Sequence, residues 1–551
     1  MCFDAPNCYR RVLMEIALDR QAALDAIMPD DDFGSTLQSA HSLGSLSGTS
    51  SIGGLIGTVT DEDFFTFTSG VTGTATFAAN TTFALNCDWS LVGGGGTVDG
   101  NTLIEPRLGF NYSFDTELRT QLRGGVGLFQ GSPPGVWLSN NFTNTGTLIS
   151  VIQDTNGGNG VSGDPSFIPP EAAGTSPAQD VDSLDSDFDQ PSVWKWNLAF
   201  ERELPWMGLI AGAEFLVSET NKGVFTEHLN LGNPSGTLPD GRLSYWSNTN
   251  PADFTSTGFV GSRVSQRVNR NRAFNDVLLL RNTDAGHAEN FTVSIEKPWE
   301  NNWFAKLAYT YGEATDVSPG TSSRAISNWN SRLIYNPNDE VEGTSNYEIR
   351  DRWTGLLSKR WNFFDDAPTT VSFFYEGRSG RPFSYAFIGD ANGDRINGND
   401  LLYIPFDEND VLFSAASTQE QIDAFFEYIA SNSELDGNRG EVAGRNADRA
   451  PWVHQVDMRL SQEIPLFADT RGELFLDILN VGNLLNEDWG HIDQAAFPYS
   501  VQVARFNGVD PDTGRYVYDV TNFRNGQPNL QREDAEGQSR WAMQVGFRFE
   551  F

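Results

Sequence analysis

Trp541-Ala-Met-Gln-Val-Gly-Phe-Arg-Phe-Glu-Phe551 closes the chain and decides its class. Side chains of an extended strand alternate between two faces. Trp541, Met543, Val545, Phe547, Phe549 and Phe551 therefore share one face, and Ala542, Gln544, Gly546, Arg548 and Glu550 share the other. The first face suits lipid and the second suits water. In a soluble sandwich such a strand is an exposed edge inviting aggregation. As the closing strand of a bacterial outer-membrane barrel it has about the length needed to cross a bilayer at a tilt.

The same alternation recurs upstream in pairs. Ile104–Tyr112 goes with Gln121–Phe129, Val193–Glu203 with Leu209–Ser218, and Phe291–Lys297 with Trp303–Tyr311. Arg350–Trp361 goes with Thr370–Ser384, and His454–Ile464 with Gly472–Leu479. Short connections join the members of each pair: Ser113–Thr120, Leu204–Gly208, Pro298–Asn302, Asn362–Pro368 and Pro465–Arg471. Between pairs lie segments rich in Gly, Asn, Asp, Ser and Pro, such as Gly131–Gln190 and Asp390–Ala450. Short turns on one side and long loops on the other are the plan of an outer-membrane barrel, with the long loops outside the cell. A soluble sandwich has no reason to sort its connections this way.

Composition agrees. The 551 residues include 54 Gly, 39 Phe, 14 Trp and 14 Tyr, as expected of many strands, long loops and aromatic girdles. A mean hydropathy of -0.38 fits strands that are only half apolar. No apolar run is long enough for a transmembrane helix. The net charge of -36, from 73 acidic and 37 basic residues, argues against a nucleic-acid partner and suits carboxylate-rich surface loops. Cys2, Cys8 and Cys87 form no metal-binding spacing.

The five pairs and the final strand make about eleven strands. Single-chain bacterial barrels have even numbers, and Met1-Cys-Phe-Asp-Ala-Pro-Asn7 shows no basic n-region followed by an apolar h-region, so no signal-peptide pattern is visible. Both features lead to the expectation of an N-terminally truncated barrel; a further strand from Phe64–Asn86 is the other remedy.

Several stretches resemble the Oar-like TonB-dependent receptors of the outer membrane. They are Glu105–Asp115, Arg123–Ser139, Gln190–Asn197, Tyr375–Ser384, Arg445–Trp452 and Leu476–Leu484, so the resemblance spans roughly residues 103–551. It implies an all-β fold: a transmembrane antiparallel β-barrel, here the C-terminal part of a barrel of about twenty-two strands, with long extracellular loops. It also implies a lumenal plug and transport energised by the TonB complex, although the plug and TonB box find no match here. The closing strand is similar to the signal read by the barrel-assembly machinery, which makes Trp541, Met543, Val545, Phe547, Phe549 and Phe551 candidate assembly residues. Residues 30–102, with Asp30-Asp-Asp-Phe-Gly-Ser-Thr-Leu37 and Gly57-Thr-Val-Thr-Asp61-Glu-Asp63, resemble the pre-peptidase C-terminal type of small β-sandwich. Residues 1–29 carry an amphipathic helical pattern over about Tyr9–Met28.

One constellation carries ion chemistry. Asp390-Ala-Asn-Gly-Asp-Arg-Ile-Asn-Gly-Asn-Asp400 places oxygens at its first, third and fifth positions, the opening of a calcium-binding loop. Asp390, Asn392 and Asp394 offer side-chain oxygens, Ile396 its carbonyl, and Asn399 and Asp400 the closing contacts to a Ca²⁺ that stiffens an extracellular loop. Arg395 stands where the standard loop has Gly, and a run of Asx-turns is the other reading. Ser417-Thr-Gln-Glu-Gln421 opens a helix with Ile422, Phe425, Phe426 and Ile429 at helical spacing. Trp137, Trp246 and Trp489 are candidates for stacking on a ligand.

No catalytic fingerprint is present: His41, His228, His287, His454 and His491 form no H-E-x-x-H pair, and neither a G-x-S-x-G elbow nor a phosphate loop occurs. The expectation is therefore a non-enzymatic outer-membrane receptor. Its partners would be outer-membrane lipid, the barrel-assembly machinery, the TonB complex in a full-length form, and an extracellular ligand. The alternative is a secreted, calcium-stabilised β-rich binding module or surface anchor.

Overall fold

The computed structural model describes residues 103–146, 178–255, 257–364, 367–466, 470–521, 523 and 530–550, together with the main chain of 41–46 and 65–69. The expected helix over Tyr9–Met28, most of residues 30–102, and Phe551 lie outside the described residues. Contacts divide the chain into residues 1–88 and 89–551. In the first unit His41–Leu46 pairs in parallel with Phe65–Ser69, which is part of the Phe64–Asn86 stretch that could supply a further barrel strand.

The second unit is dominated by an eleven-stranded meander. Its strands are β1 (Arg107–Ser113), β2 (Thr120–Gln130), β3 (Ser192–Glu203), β4 (Ile210–His228), β5 (His287–Glu300) and β6 (Trp303–Asp316). Then follow β7 (Asp351–Phe364), β8 (Ala367–Arg378), β9 (Val453–Pro465), β10 (Arg471–Leu479) and β11 (Ala542–Glu550). Each pairs antiparallel with its neighbour in chain order, from β1 at one edge to β11 at the other. The eleven strands coincide with those expected from alternation.

Register carries the alternation from strand to strand. Met543 pairs with Ile478, Ile478 with Met458, Met458 with Phe373, and Phe373 with Leu357, a row of apolar side chains across five strands. The face is outward over most of its length: Val545 is 70% exposed and Phe547 56%, while Ile478, near the loop end of β10, is covered. The other face carries charge in partnered form, with Arg123–Glu201 at 2.8 Å, Lys306–Glu296 at 3.0 Å and Arg352–Glu376 at 2.6 Å. Lys297 falls on the apolar face by parity. Its ammonium bends back to the Pro298 and Glu300 carbonyls, both at 3.1 Å, and lies 4.5 Å from the Trp303 ring centre, as a lysine does near a membrane interface.

Two details differ from the sequence reading. The β5–β6 connection is only Asn301-Asn302, at φ 55° and 61°, so both central residues are left-handed as a type I′ turn requires. Asn tolerates this conformation and a β-branched residue does not. Asn302→Val should therefore cost about 1–2 kcal/mol, read as a lower urea midpoint in detergent, whereas Asn302→Gly should be neutral or stabilising. The run Thr370–Ser384 is also not one strand. It breaks after Arg378, because Gly380 passes the Ala450 and Pro451 backbone so closely that a Cβ would lie 2.2 Å from the Ala450 oxygen.

The long connections do not dangle. β4 runs on past its barrel partners and pairs its end, Gly223–His228, with Phe274–Thr283. Pro382–Ile388, Ser500–Val509, Tyr516–Asp519 and two short strands build a separate mixed five-stranded sheet. Around it Trp246, Phe387, Phe425, Ile429, Tyr516 and Tyr518 form the largest buried apolar cluster among the described residues. The sheet of β1–β11 has an apolar face and a charged face and carries little buried core of its own, so the bulk of the protein-type core lies in this cap.

Candidate functional site

The acidic loop follows directly from cap strand Pro382–Ile388. Gly389, Gly393 and Gly398 take φ of 85°, 84° and 77°, and the Gly398 N–H donates to the Gly389 carbonyl at 2.7 Å to close the loop. Gly393 is required twice over, since a Cβ there would lie 2.7 Å from the Trp246 nitrogen. Arg395 also sits at positive φ, 81°, the conformation for which the standard loop uses Gly.

Main-chain N–H groups converge on the loop's side chains. Asp390 accepts from Gly393 at 2.6 Å, from Arg395 at 2.9 Å and from the Gln266 amide at 2.7 Å. Asn392 Oδ1 accepts from Asp394 N and Asp394 Oδ1 from Ile396 N, both at 2.8 Å, while Asp400 Oδ2 accepts from Ala391 N at 2.7 Å. These are the Asx-turns of the second reading, although such turns are compatible with cation binding through the remaining oxygens.

Charge is not balanced within the loop. Asn392, Asp394 and Asp400 are fully buried and Asp390 nearly so. Burial raises the Asp390 carboxyl well above its usual range, and the Asp394 and Asp400 charges push it further. Burial also raises Asp394, and it lifts Asp400, next to Asp394, to about 7. Two buried arginines offset this in part. Arg242 Nη1 stands 3.8 Å from Asp400 Oδ1, and Nη2 is 2.7 Å from Asp240 Oδ2. Arg267 Nε donates to the Asp394 carbonyl at 2.7 Å, but its own ion pair goes to Asp276 at 3.2 Å. Asn399 Oδ1 and Asp400 Oδ1 are buried without a hydrogen-bond donor.

The structure therefore brings Asp390, Asn392, Asp394, Asn399 and Asp400 into one buried loop. Ile396, expected to offer its main-chain carbonyl, lies on the same loop through its N–H to Asp394, with its side chain packed on the cluster of Leu231, Tyr245, Leu278 and Trp329. Among the described residues no three Asp, Glu, His or Cys side chains approach closely enough to hold an ion on their own. A cation here would draw on amide or main-chain oxygens beside at most two of the carboxylates. The donor set is all oxygen, which suits a hard cation, and the orphaned Asn399 and Asp400 oxygens have free acceptor capacity.

Of the assembly residues, Trp541, Met543, Val545, Phe547 and Phe549 are exposed on the apolar face. The capping box is present as expected: Thr418 caps the helix Gln419–Ser431, and Phe425 and Ile429 are buried in the cap core. Trp246 is also buried there, its indole N–H donating to the Ala391 carbonyl at 3.0 Å, so it cannot stack on a ligand. Trp137 donates to the Ser322 carbonyl at 2.6 Å and packs against the small cluster of Leu184, Phe188 and Leu280, and Trp489 alone of the three is well exposed. Sequence reasoning missed Arg242 and Arg267, which lie more than a hundred residues from the acidic loop they touch, through the Leu401 and Asp394 carbonyls, and carry no local signal of that contact.

Residues 58–488 match the family described as outer membrane beta barrel domain. No curated protein matches the chain. Among solved structures it is similar to the outer membrane transporter YddB from Escherichia coli, at 10% identity and a TM-score of 0.36 over 78% of this chain and 38% of that one. It is also similar to the FrpB iron transporter from Neisseria meningitidis, at 11% identity and a TM-score of 0.31 over 80% of this chain and 38% of that one. The chain thus spans well under half the length of either transporter.

Proposed function

Starting from the fact that the chain belongs to the outer membrane beta barrel domain family, we propose that it works as a receptor-transporter barrel of the Oar-like, TonB-dependent kind and takes its ligand on the cap. The protein is placed in the bacterial outer membrane, where the outward apolar rows meet lipid. The observation supporting the receptor reading is the cap itself: the long loops fold into one body with its own core, which a simple membrane anchor does not need. The barrel-assembly machinery is the proposed reader of the closing strand. TonB is the proposed energy source in the full-length form.

Two measurements test this reading. Phe406 is exposed on the cap, and a Phe406→Cys variant should react with a membrane-impermeant maleimide on intact cells above the parent's background. Labelling only after lysis would contradict the external cap. The full-length form, with plug and TonB box, should bind the periplasmic domain of its host's TonB in calorimetry. Surface labelling without TonB binding would favour the anchor reading.

We also infer that the acidic loop holds Ca²⁺ as a structural staple for the cap. Asp390, Asn392, Asp394, Asn399 and Asp400 are the residues that would supply oxygens, and the excess of buried carboxylate over cation supports it. Trp246 lies on the loop, so Tb³⁺ should luminesce on tryptophan excitation, Ca²⁺ should displace it, and Asp394→Asn should abolish the signal. At a hundredfold excess over its dissociation constant the ion would add about 2.7 kcal/mol to cap stability. Absence of both the luminescence and a Ca²⁺-dependent melting shift would leave the Asx-turn reading.

A further inference from the structure

A third buried cation in the loops, unlike Arg242 and Arg267, has no ion-pair partner among the described residues. Arg332 follows the short helix Ala325–Asn330 in the β6–β7 connection and is 3% exposed. Among the described residues its guanidinium makes no hydrogen bond and no ion pair; its Nε is buried without a partner. It rests on the Phe225 ring, 4.6 Å from the centre. Arg281 lies over the same ring but is paired with Glu227 at 3.0 Å and Glu340 at 2.6 Å. A buried guanidinium left unpaired costs several kcal/mol, so the fold tolerates it only if something offsets the charge.

Arg332 lines a cavity of about 330 Å³ between this connection and the cap, large enough for a small organic ligand. Arg445 lines it too. Its Nη atoms are used by Asp316 Oδ1 at 2.9 Å and by the Val317 and Gly343 carbonyls at 2.9 and 2.7 Å, while its buried Nε has no partner. Much of the remaining wall is apolar, including Val317, Leu333, Ile334 and Leu401. Asp339 and Glu342 also face the space. Asp339 accepts from the Asn336 amide at 2.9 Å, and Glu342 from Gly286 N at 2.9 Å and Thr315 at 2.7 Å, with His287 at 3.4 Å. These two acids oppose a dianion such as phosphate. One planar anion with an apolar body satisfies the walls best.

We propose that this cavity binds a small organic monocarboxylate, its carboxylate held in the fork of Arg332 and its apolar body against the aliphatic wall. Arg-carboxylate geometry is bidentate and stronger than a neutral contact. The proposal deepens the receptor reading by naming a ligand class for the cap, but binding is measured independently of TonB, so either can fail alone.

The experiment uses the purified full chain in detergent, with 4-methylpentanoate as probe and 4-methylpentanamide as its neutral isostere. The acid should bind in calorimetry and raise the melting midpoint, the amide should do neither, and Arg332→Gln should weaken acid binding at least tenfold. Unliganded Arg332→Gln should melt no lower than the parent, since it removes an unpaired charge; Arg332→Lys separates loss of charge from loss of the fork. Equal binding of acid and amide, no binding of the acid by the parent, or undiminished binding by Arg332→Gln would each overturn the proposal.

Discussion

A lysine in place of Val545 is expected to destabilise the barrel in lipid by about 2–4 kcal/mol, whereas a lysine at the adjacent Gln544 should change it by less than about 1 kcal/mol. Val545 lies near the middle of β11, is 70% exposed, and pairs with Leu476 between the equally outward Met543 and Phe547. A lysine there must either enter hydrocarbon or deform the bilayer to reach water. Gln544 points to the other face, opposite Asp477, which already pairs with Arg459 at 3.5 Å. An added ammonium there meets water and a carboxylate. Urea unfolding in lipid vesicles gives the two differences directly, and heat-modifiable migration on gels reports whether the barrel assembled. Equal costs at the two positions would mean that the apolar face does not meet lipid, which would remove the basis of the barrel reading.

The meander was legible because each barrel strand is a local object. Alternation in Trp194, Trp196, Leu198 and Phe200 survives into the fold as an exposed stripe on β3. The helix Gln419–Ser431 was legible for the same reason, since Thr418 and Gln421 satisfy each other within one turn. The limits appear where partners are distant. Pro382–Ser384 reads as the end of the Thr370–Ser384 run, yet it opens a separate strand, Pro382–Ile388, that pairs in parallel with Ser500–Val509, more than a hundred residues away. β4 was expected to stop near Ser218 and runs to His228, because its end finds Phe274–Thr283. The acidic loop was legible as a spacing of oxygens. What that spacing could not supply was the burial of Asp400, the Gln266 contact to Asp390, or the guanidinium groups on either side. Those depend on the β4–β5 connection folding back over the β8–β9 one.

Arg242 joins the two connections, and its removal should open the cap. It is fully buried, donates to Asp240 Oδ2 at 2.8 Å and to the Leu401 carbonyl at 2.6 Å, and faces Asp400 at 3.8 Å. Its guanidinium also lies 5.3 Å from the Phe387 ring centre and 5.5 Å from that of Tyr335. Arg242→Ala leaves Asp240 and Asp400 in a low-dielectric interior without their counter-charge, and breaking one side of such a pair costs about 3–5 kcal/mol. Arg242→Lys keeps the charge but loses the planar fork and the stacking, so it should fall between the two. Joining Arg242→Ala to Asp240→Asn and Asp400→Asn should recover part of the loss, because the orphaned charges go with the cation. Limited proteolysis of the cap in the purified protein reads these differences, with heat-modifiable migration as the separate report on the barrel. β1–β11 hold one another through their own hydrogen-bond ladders, so the barrel should persist while the cap opens. A cap in Arg242→Ala as resistant as the parent's would show that the buried charges are neutralised by other means, whereas joint loss of cap and barrel would show that the two fold as one cooperative unit.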